Sequence, residues 1–330
     1  MAKTRLAILG FEHIHAHHYL QCLKSMPDVE VVGIAEPDPR SLHGSIDVIG
    51  GIPCQNDYQA LLRPALVDGV LICSANVRHK QMVMDAARAR IPILCEKPLA
   101  TKIADAREML AMVEAYGTPL GLCFPCRFSE PLQQARQWIE QKSLGEIIAV
   151  KATNHGTMPG GWFVDPALSG GGAIMDHTVH VVDALRWIFG QEFVRVYAQA
   201  ATRLHPIAVE DVALLSLEMS HGVFVTLDAS WSRPARSFPI WGDVHLSIIG
   251  TRGVFDLDLF PWTISHFSES SARLLAVSHD GDLNQRLLRH FIESIRKGTP
   301  VSPDGTDGLR ALEVVEGAYE SVRSGKAVFL

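Results

Sequence analysis

The sequence predicts an α/β chain in two parts, a doubly wound parallel sheet followed by an α+β domain whose sheet is mainly antiparallel. Three observations lead there. In the first third, short apolar runs alternate with stretches of helical period. Beyond about residue 122, strand-like runs follow one another with tight turns between them. At 330 residues and 47% apolar content, the chain is also long enough to bury two cores.

Taken in order, residues 5–9, 29–35, 69–73, 92–95 and 120–124 read as strands, and residues 16–26, 80–90 and 104–116 as helices among them. Parallel neighbours need a crossover, and a helix supplies it. The second part opens with a helix at 132–141 and a strand at 147–153, then the glycine-rich stretch "GGWFVDPALSGGG" and a long helix at 173–189. Strands are predicted at 194–200, 212–219, 223–230, 244–250 and 253–259, with His221-Gly222 and Arg252-Gly253 as hairpin turns. Helical patterns at 283–297 and 307–324 close the chain. The division is therefore residues 1–121 and 122–330, with the C-terminal helix a candidate to pack back on the first domain.

Composition excludes several functions. The net charge of -6 carries no basic stripe for a nucleic-acid backbone. No window approaches the roughly 20 apolar residues of a membrane span, and the N-terminus does not read as a signal peptide, so a cytoplasmic protein is expected. The six cysteines are scattered through apolar stretches like reduced core thiols; only Cys123 and Cys126 form a CxxC, without a second pair to complete a zinc site.

Ligands of open parallel sheets sit at the carboxyl ends of the strands, so the residues that follow each run matter most. These are Gly10, Glu36, Ser74, Asn76, Glu96 and Lys97. Glu36 stands where a carboxylate accepts hydrogen bonds from an adenosine ribose, which favours NAD over NADP; an acid in a turn is also commonly just solvated. In "LCEKPLA", Lys97 is a candidate to hydrogen-bond a reacting oxygen, the plain alternative being a salt bridge with Glu96. "GGGAIMDHTVHVVDALRW", beginning at Gly170, puts Asp176 and His180 four apart on one helix face, with Asp183 three further along. Histidine titrates near neutral pH, so the pair suits proton exchange with a substrate hydroxyl, and its glycines permit close approach of a ligand. A structural Asp–His hydrogen bond is the competing reading.

The order of "ANVRH", "EKP", "RF", "LGEI" and the GGG-to-helix segment resembles the Gfo/Idh/MocA family of sugar and polyol oxidoreductases over nearly the whole chain. The resemblance implies an N-terminal Rossmann domain, a C-terminal domain with a large open sheet, and hydride transfer between NAD(P) and a carbohydrate or polyol carbon. Lys97, Asp176 and His180 match the family's catalytic positions. His180 would exchange the hydroxyl proton, Lys97 would hold and polarise the same oxygen, and Asp176 would position substrate and imidazole. The cofactor would lie along Gly10, Phe11, Glu12, His13, Ile14, Glu36, Ser74, Asn76, His79, Glu96 and Lys97. Arg127, His155, Trp162 and Phe163 would line the substrate pocket beside Asp176 and His180, although Arg127 and the tryptophan also suit packing. A homodimer or homotetramer is implied.

One stretch departs from the family. Its turn normally reads GxGxxG, whereas "LGFEHIHAHHY" puts Glu12 at the second glycine and His15 at the third. A carboxylate there opposes pyrophosphate by about 1 kcal/mol in water and about 4 at an effective dielectric near 20. Its effect depends on whether Glu12 turns to solvent, pairs with His15, or faces the phosphates. Two metal readings, His13 and His17 with Glu12, and Asp176, His177 and His180 with His155, stand beside this one, and the reading adopted assigns no metal. Two alternatives to a dehydrogenase remain: a sugar-binding or regulatory homologue with weakened cofactor binding, and an NAD-dependent glycosidase.

Overall fold

The structure is a computed structural model that describes residues 2–238, 242–259, 262–268, 273–278 and 281–330. The first segment runs β1 (Thr4–Leu9), α1 (Ala16–Lys24), β2 (Val29–Ala35), α2 (Ile46–Ile49), β3 (Cys54–Gln55), β4 (Gly69–Ile72), α3 (His79–Arg88), β5 (Ile93–Cys95), α4 (Ile103–Tyr116) and β6 (Leu120–Leu122). The strands form one parallel sheet in the order β3-β2-β1-β4-β5-β6, the Rossmann arrangement. Burial on both faces explains why residues 6–9 of β1, and β4 and β5 throughout, read as unbroken apolar runs. Because the chain leaves β1 for β2 on one side and β4 lies on the other, the carboxyl ends of β1 and β4 form the topological switch point at which open sheets of this kind take their ligands. α1 buries Ala16, Tyr19, Leu20 and Leu23, and α4 stops at Gly117, whose φ of 61° forms a left-handed cap.

The chain continues through α5 (Glu130–Glu140), β7 (Ile147–Gly156), α6 (Pro166–Ser169), α7 (Ala173–Phe189), β8 (Phe193–Ala201), β9 (Val212–Met219), β10 (Phe224–Ser230), β11 (Gly242–Gly250), β12 (Gly253–Leu259), β13 (Trp262–Ser268), β14 (Arg273–Ser278), α8 (Leu283–Lys297), α9 (Gly305–Ser324) and β15 (Val328–Phe329). β7 to β15 build a sheet ordered β14-β13-β12-β11-β7-β10-β9-β8-β15, antiparallel except where β7 meets β10. Period-two alternation gives this sheet two unlike faces. Val150, Ala152 and Asn154 of β7 are buried, and the Asn154 amide donates to the His177 carbonyl of α7, so these residues face the helix. The alternate residues, including Tyr197, Leu214, Phe224 and Ile249, form the opposite face and are exposed.

The chain divides into two compact units. One holds Met1–Phe124, Ala167–Gly170 and Asp282–Leu309; the other holds Pro125–Pro166, Gly171–Gly281 and Arg310–Leu330. The fold class matches the sequence reading, including both hairpins. β3, β13, β14 and β15 were not foreseen. Among the described residues no helix is long and apolar enough to cross a membrane.

Candidate functional site

In the first unit the turn after β1 is built around Gly10. Its φ is 78°, and a Cβ there would lie 2.8 Å from both the Cα and the Cβ of Ser74, so only glycine fits. Glu36, at the end of β2, is buried and accepts from the Phe11 N–H at 2.6 Å and the Asp38 N–H at 2.8 Å. Burial raises its pKa above the ordinary carboxylate value, against the pull of those two N–H groups. Ile14 is exposed.

Glu12 resolves the question its position raised. Its carboxylate accepts from the Ala75 N–H and from Arg78 Nη1, each at 2.7 Å. It neither turns to solvent nor pairs with His15; a guanidinium from the residue before α3 holds it. The metal reading built on His13, His17 and Glu12 fails for the same reason, since His17 Nδ1 instead meets Ser45 Oγ at 2.8 Å. α1 starts directly after His15, which makes no side-chain cap bond, and its first turn carries no acidic residue.

Glu96 follows β5 and is fully buried. Its Oε2 accepts from the Lys97 N–H at 3.0 Å, while Oε1 lies 2.9 Å from His15 Nδ1 and 3.5 Å from His13 Nδ1. Burial alone would raise this carboxyl, but the two imidazoles and Lys97 outweigh it and hold Glu96 below the usual range. Lys97 is buried beside it. Two expected cofactor residues have other employment. His79 is fully buried with Nδ1 2.9 Å from the Pro98 carbonyl and Nε2 3.2 Å from that of Ser74, and burial lowers its pKa. Neutral, the ring donates to only one of these carbonyls, but both its nitrogens face backbone oxygens rather than a ligand. Asn76 donates to the Ser169 carbonyl at 2.8 Å.

In the second unit, α7 carries the other candidates. The glycines before it serve packing rather than the approach of a ligand. A Cβ on Gly171 would fall 1.8 Å from the Tyr319 hydroxyl, and one on Gly172 would fall 2.0 Å from the Glu210 carbonyl oxygen. Glu210 Oε1 accepts from the N–H groups of Gly172 at 2.9 Å and Ile174 at 3.0 Å, and from Tyr319 at 2.8 Å. It thus caps the start of α7 with a carboxylate, which suits the positive end of the helix dipole. Burial raises the Glu210 acid despite these bonds.

Asp176 accepts from Trp231 Nε1 at 3.1 Å and lies 3.3 Å from His177 Nε2. His177 Nδ1 sits 2.9 Å from the Asn154 carbonyl, so Nδ1 carries the proton and Nε2 donates to Asp176 only when the ring is charged. His180 is buried one helical turn on. Asp183 forms a buried two-pronged pair with Arg127, at 2.9 Å to Nε and 2.5 Å to Nη2. Arg127 is therefore an internal brace between α7 and the turn before α5, a packing role rather than the expected pocket role. Trp162 stacks on Phe163 with ring centroids 3.8 Å apart.

His155 was expected beside Asp176 and His180, but sheet alternation sends it elsewhere. Its neighbour Asn154 faces α7, so His155 projects from the opposite face, 3.1 Å from both Asp228 and Asp243. Burial would lower its pKa, yet the two carboxylates prevail and raise it to about 9. The metal reading that joined His155 to Asp176, His177 and His180 falls with this placement. The CxxC cysteines are buried, and no disulfide joins any of the cysteines. Sequence reasoning missed Arg78, Glu210, Trp231 and Tyr319, whose partners lie far along the chain.

Residues 4–123 match the oxidoreductase family with an NAD-binding Rossmann fold, and residues 132–256 match the GFO/IDH/MocA C-terminal domain; the chain belongs to the Gfo/Idh/MocA oxidoreductase family. Among its relatives is the myo-inositol 2-dehydrogenase of Thermotoga maritima, 25% identical over 339 residues, covering 99% of this chain and 98% of that one. The D-glucoside 3-dehydrogenase of Escherichia coli is 26% identical over 355 residues, covering 100% and 98%. Aldose-aldose oxidoreductase from Caulobacter crescentus, solved with glycerol, shares the fold with a TM-score of 0.86 at 23% identity, covering 99% of this chain and 100% of that one.

The residues fit the dinucleotide that the first family domain binds. Gly10 permits the tight turn, the Glu36 carboxylate lies at the end of β2 bonded to the Phe11 N–H of that turn, and α1 presents an N-terminus without an acidic first turn. NAD is the cofactor.

Proposed function

We propose that this chain oxidises or reduces a hydroxyl-bearing carbon of a sugar, inositol or related polyol with NAD as its redox partner. NAD supplies the acceptor or donor of the hydride. The observation that carries this reading is the Glu12–Arg78 pair. It removes the main objection to cofactor binding, because the carboxylate that replaces the second glycine is neutralised and pinned within the protein. The relatives that act on myo-inositol and D-glucosides support the substrate class.

Gly10, Phe11, Glu36 and the start of α1 would hold the dinucleotide; of the expected domains, 1–121 would bind it, and 122–330, less the segments 167–170 and 282–309 that belong to the first unit, would bind the substrate. His180 takes the hydroxyl proton in oxidation and returns it in reduction. Lys97 holds and polarises that oxygen by donating a hydrogen bond. Asp176, oriented by Trp231, positions a neighbouring hydroxyl. Proton exchange of this kind contributes about 10²–10⁴-fold in rate. A screen of sugars and inositols for NAD reduction tests the reading; no turnover on any of them, in a protein that binds NADH, would reject it.

The exposed Tyr197, Leu214, Phe224 and Ile249 on the open sheet face support a homodimer or homotetramer formed by a second copy on that face. Light scattering that finds only monomer would exclude it. With no basic stripe in the sequence and, among the described residues, no helix long and apolar enough to cross a membrane, neither nucleic acid nor a membrane is a partner in this reading, and the cytoplasm is its place.

A further inference from the structure

We infer that His13, His15 and Glu96 form a site for one divalent transition-metal ion of the zinc or cobalt kind, built into the dinucleotide turn. One ligand atom from each residue lies within 4.8 Å of the other two. The His15 Nδ1 and His13 Nδ1 separations from Glu96 Oε1, 2.9 and 3.5 Å, bracket the roughly 3.3 Å between ligand atoms of a tetrahedral ion with bonds near 2.0–2.1 Å. Two imidazoles and one carboxylate are a donor set that borderline metals favour over calcium or magnesium.

The site is preorganised. Glu96 is fully buried and its other oxygen is fixed by the Lys97 N–H, and the His13 side chain is wholly covered. Little side-chain entropy is left to lose when an ion arrives. His15 is 25% exposed, so of the three residues it is the one that solvent reaches. Binding replaces two contacts of the free protein, the His15 Nδ1 contact with Glu96 and the 3.2 Å donation from the His15 N–H to His13 Nδ1.

A second group, His18, Cys22 and Asp282, is the rival within the described residues. There Asp282 already caps α8 and bonds His18 at 2.8 Å, and burial together with Asp282 pushes the Cys22 thiol up to about 12, away from the thiolate that binds metals. The inference goes beyond the dehydrogenase reading, and either can fail alone.

The test is calorimetric titration of the chelator-treated full chain with Zn²⁺ and with Co²⁺, the latter followed also by its visible absorption. One equivalent is expected. Loss of an outer-shell partner of a metal typically costs 10–100-fold in affinity, so losing a direct ligand in His15→Ala or Glu96→Gln is expected to weaken binding by at least about 100-fold, while His18→Ala retains it. Circular dichroism checks that each variant is folded. No binding by the wild type, binding unaltered in both His15→Ala and Glu96→Gln, or loss in His18→Ala would each overturn the assignment.

Discussion

The helices α1 and α7 both start next to a chemically important turn, but their first N–H groups are served differently. At α7 the protein supplies its own anion: the Glu210 carboxylate accepts from Gly172 and Ile174, and Tyr319 locks it in place. At α1 the turn's own acid, Glu12, is drawn away to Arg78 and Ala75, Glu96 is engaged by the His15 ring and the Lys97 N–H, and no acidic residue stands in the first turn. A helix start filled by an internal carboxylate is structural, whereas one kept clear of carboxylates can receive phosphate. The comparison teaches that glycine-rich sequence before a helix does not by itself mark a ligand site. What matters is where the nearest carboxylate goes.

The largest expected effects lie in the chemistry. Lys97→Ala and His180→Ala should each lower kcat by about 10²–10⁴-fold with NADH affinity largely kept, measured by steady-state kinetics and fluorescence titration. Retained turnover in both would remove the roles proposed here. Next, Gly172→Ala drives a Cβ into the Glu210 carbonyl oxygen and should cost about 3 kcal/mol in denaturant unfolding without selectively weakening NADH. A specific loss of cofactor binding would instead make the α7 start a ligand site and break the comparison.

Arg78→Ala sharpens it from the other side. With its partner gone, the Glu12 charge faces the phosphates, and NADH should bind about tenfold more weakly, equivalent to about 1.4 kcal/mol. The double variant Glu12→Gln/Arg78→Ala should recover most of that loss, and failure to recover would separate Glu12 from cofactor binding. A further prediction serves as a control outside both helix starts. His155 titrates at about 9 in the folded chain against about 6.5 in the unfolded one. Its raised folded pKa means that its contribution is fully present below pH about 6.5 and disappears as pH rises through about 9. The loss should reach up to about 2 kcal/mol, read from melting temperatures, and His155→Gln should flatten that window.

Fold class was legible because the two halves carry different periods. Residues 173–189 and 283–297 were placed to the residue by their apolar spacing. β3 and β15 escaped because two residues cannot show alternation, and the hairpin of β13 and β14 lacks the strong apolar alternation of its neighbours. At the site, residue types were readable but their partners were not. Glu12 finds Arg78 66 positions away, and Asp176 finds Trp231 55 positions away. Such pairings are made by tertiary structure, with no local signal to announce them. His155 was misplaced for a related reason: near a strand end, a one-residue step decides which face of the sheet a side chain joins.

The central claim is that the turn after β1 still receives a dinucleotide although Glu12 and His15 replace two glycines. Fluorescence titration of the wild-type chain with NADH, and with NADPH alongside, measures this directly. The account expects saturable NADH binding in the micromolar range, and NADPH on the order of 100-fold weaker because the Glu36 carboxylate repels a 2′-phosphate. Absence of NADH binding at millimolar concentration would contradict it.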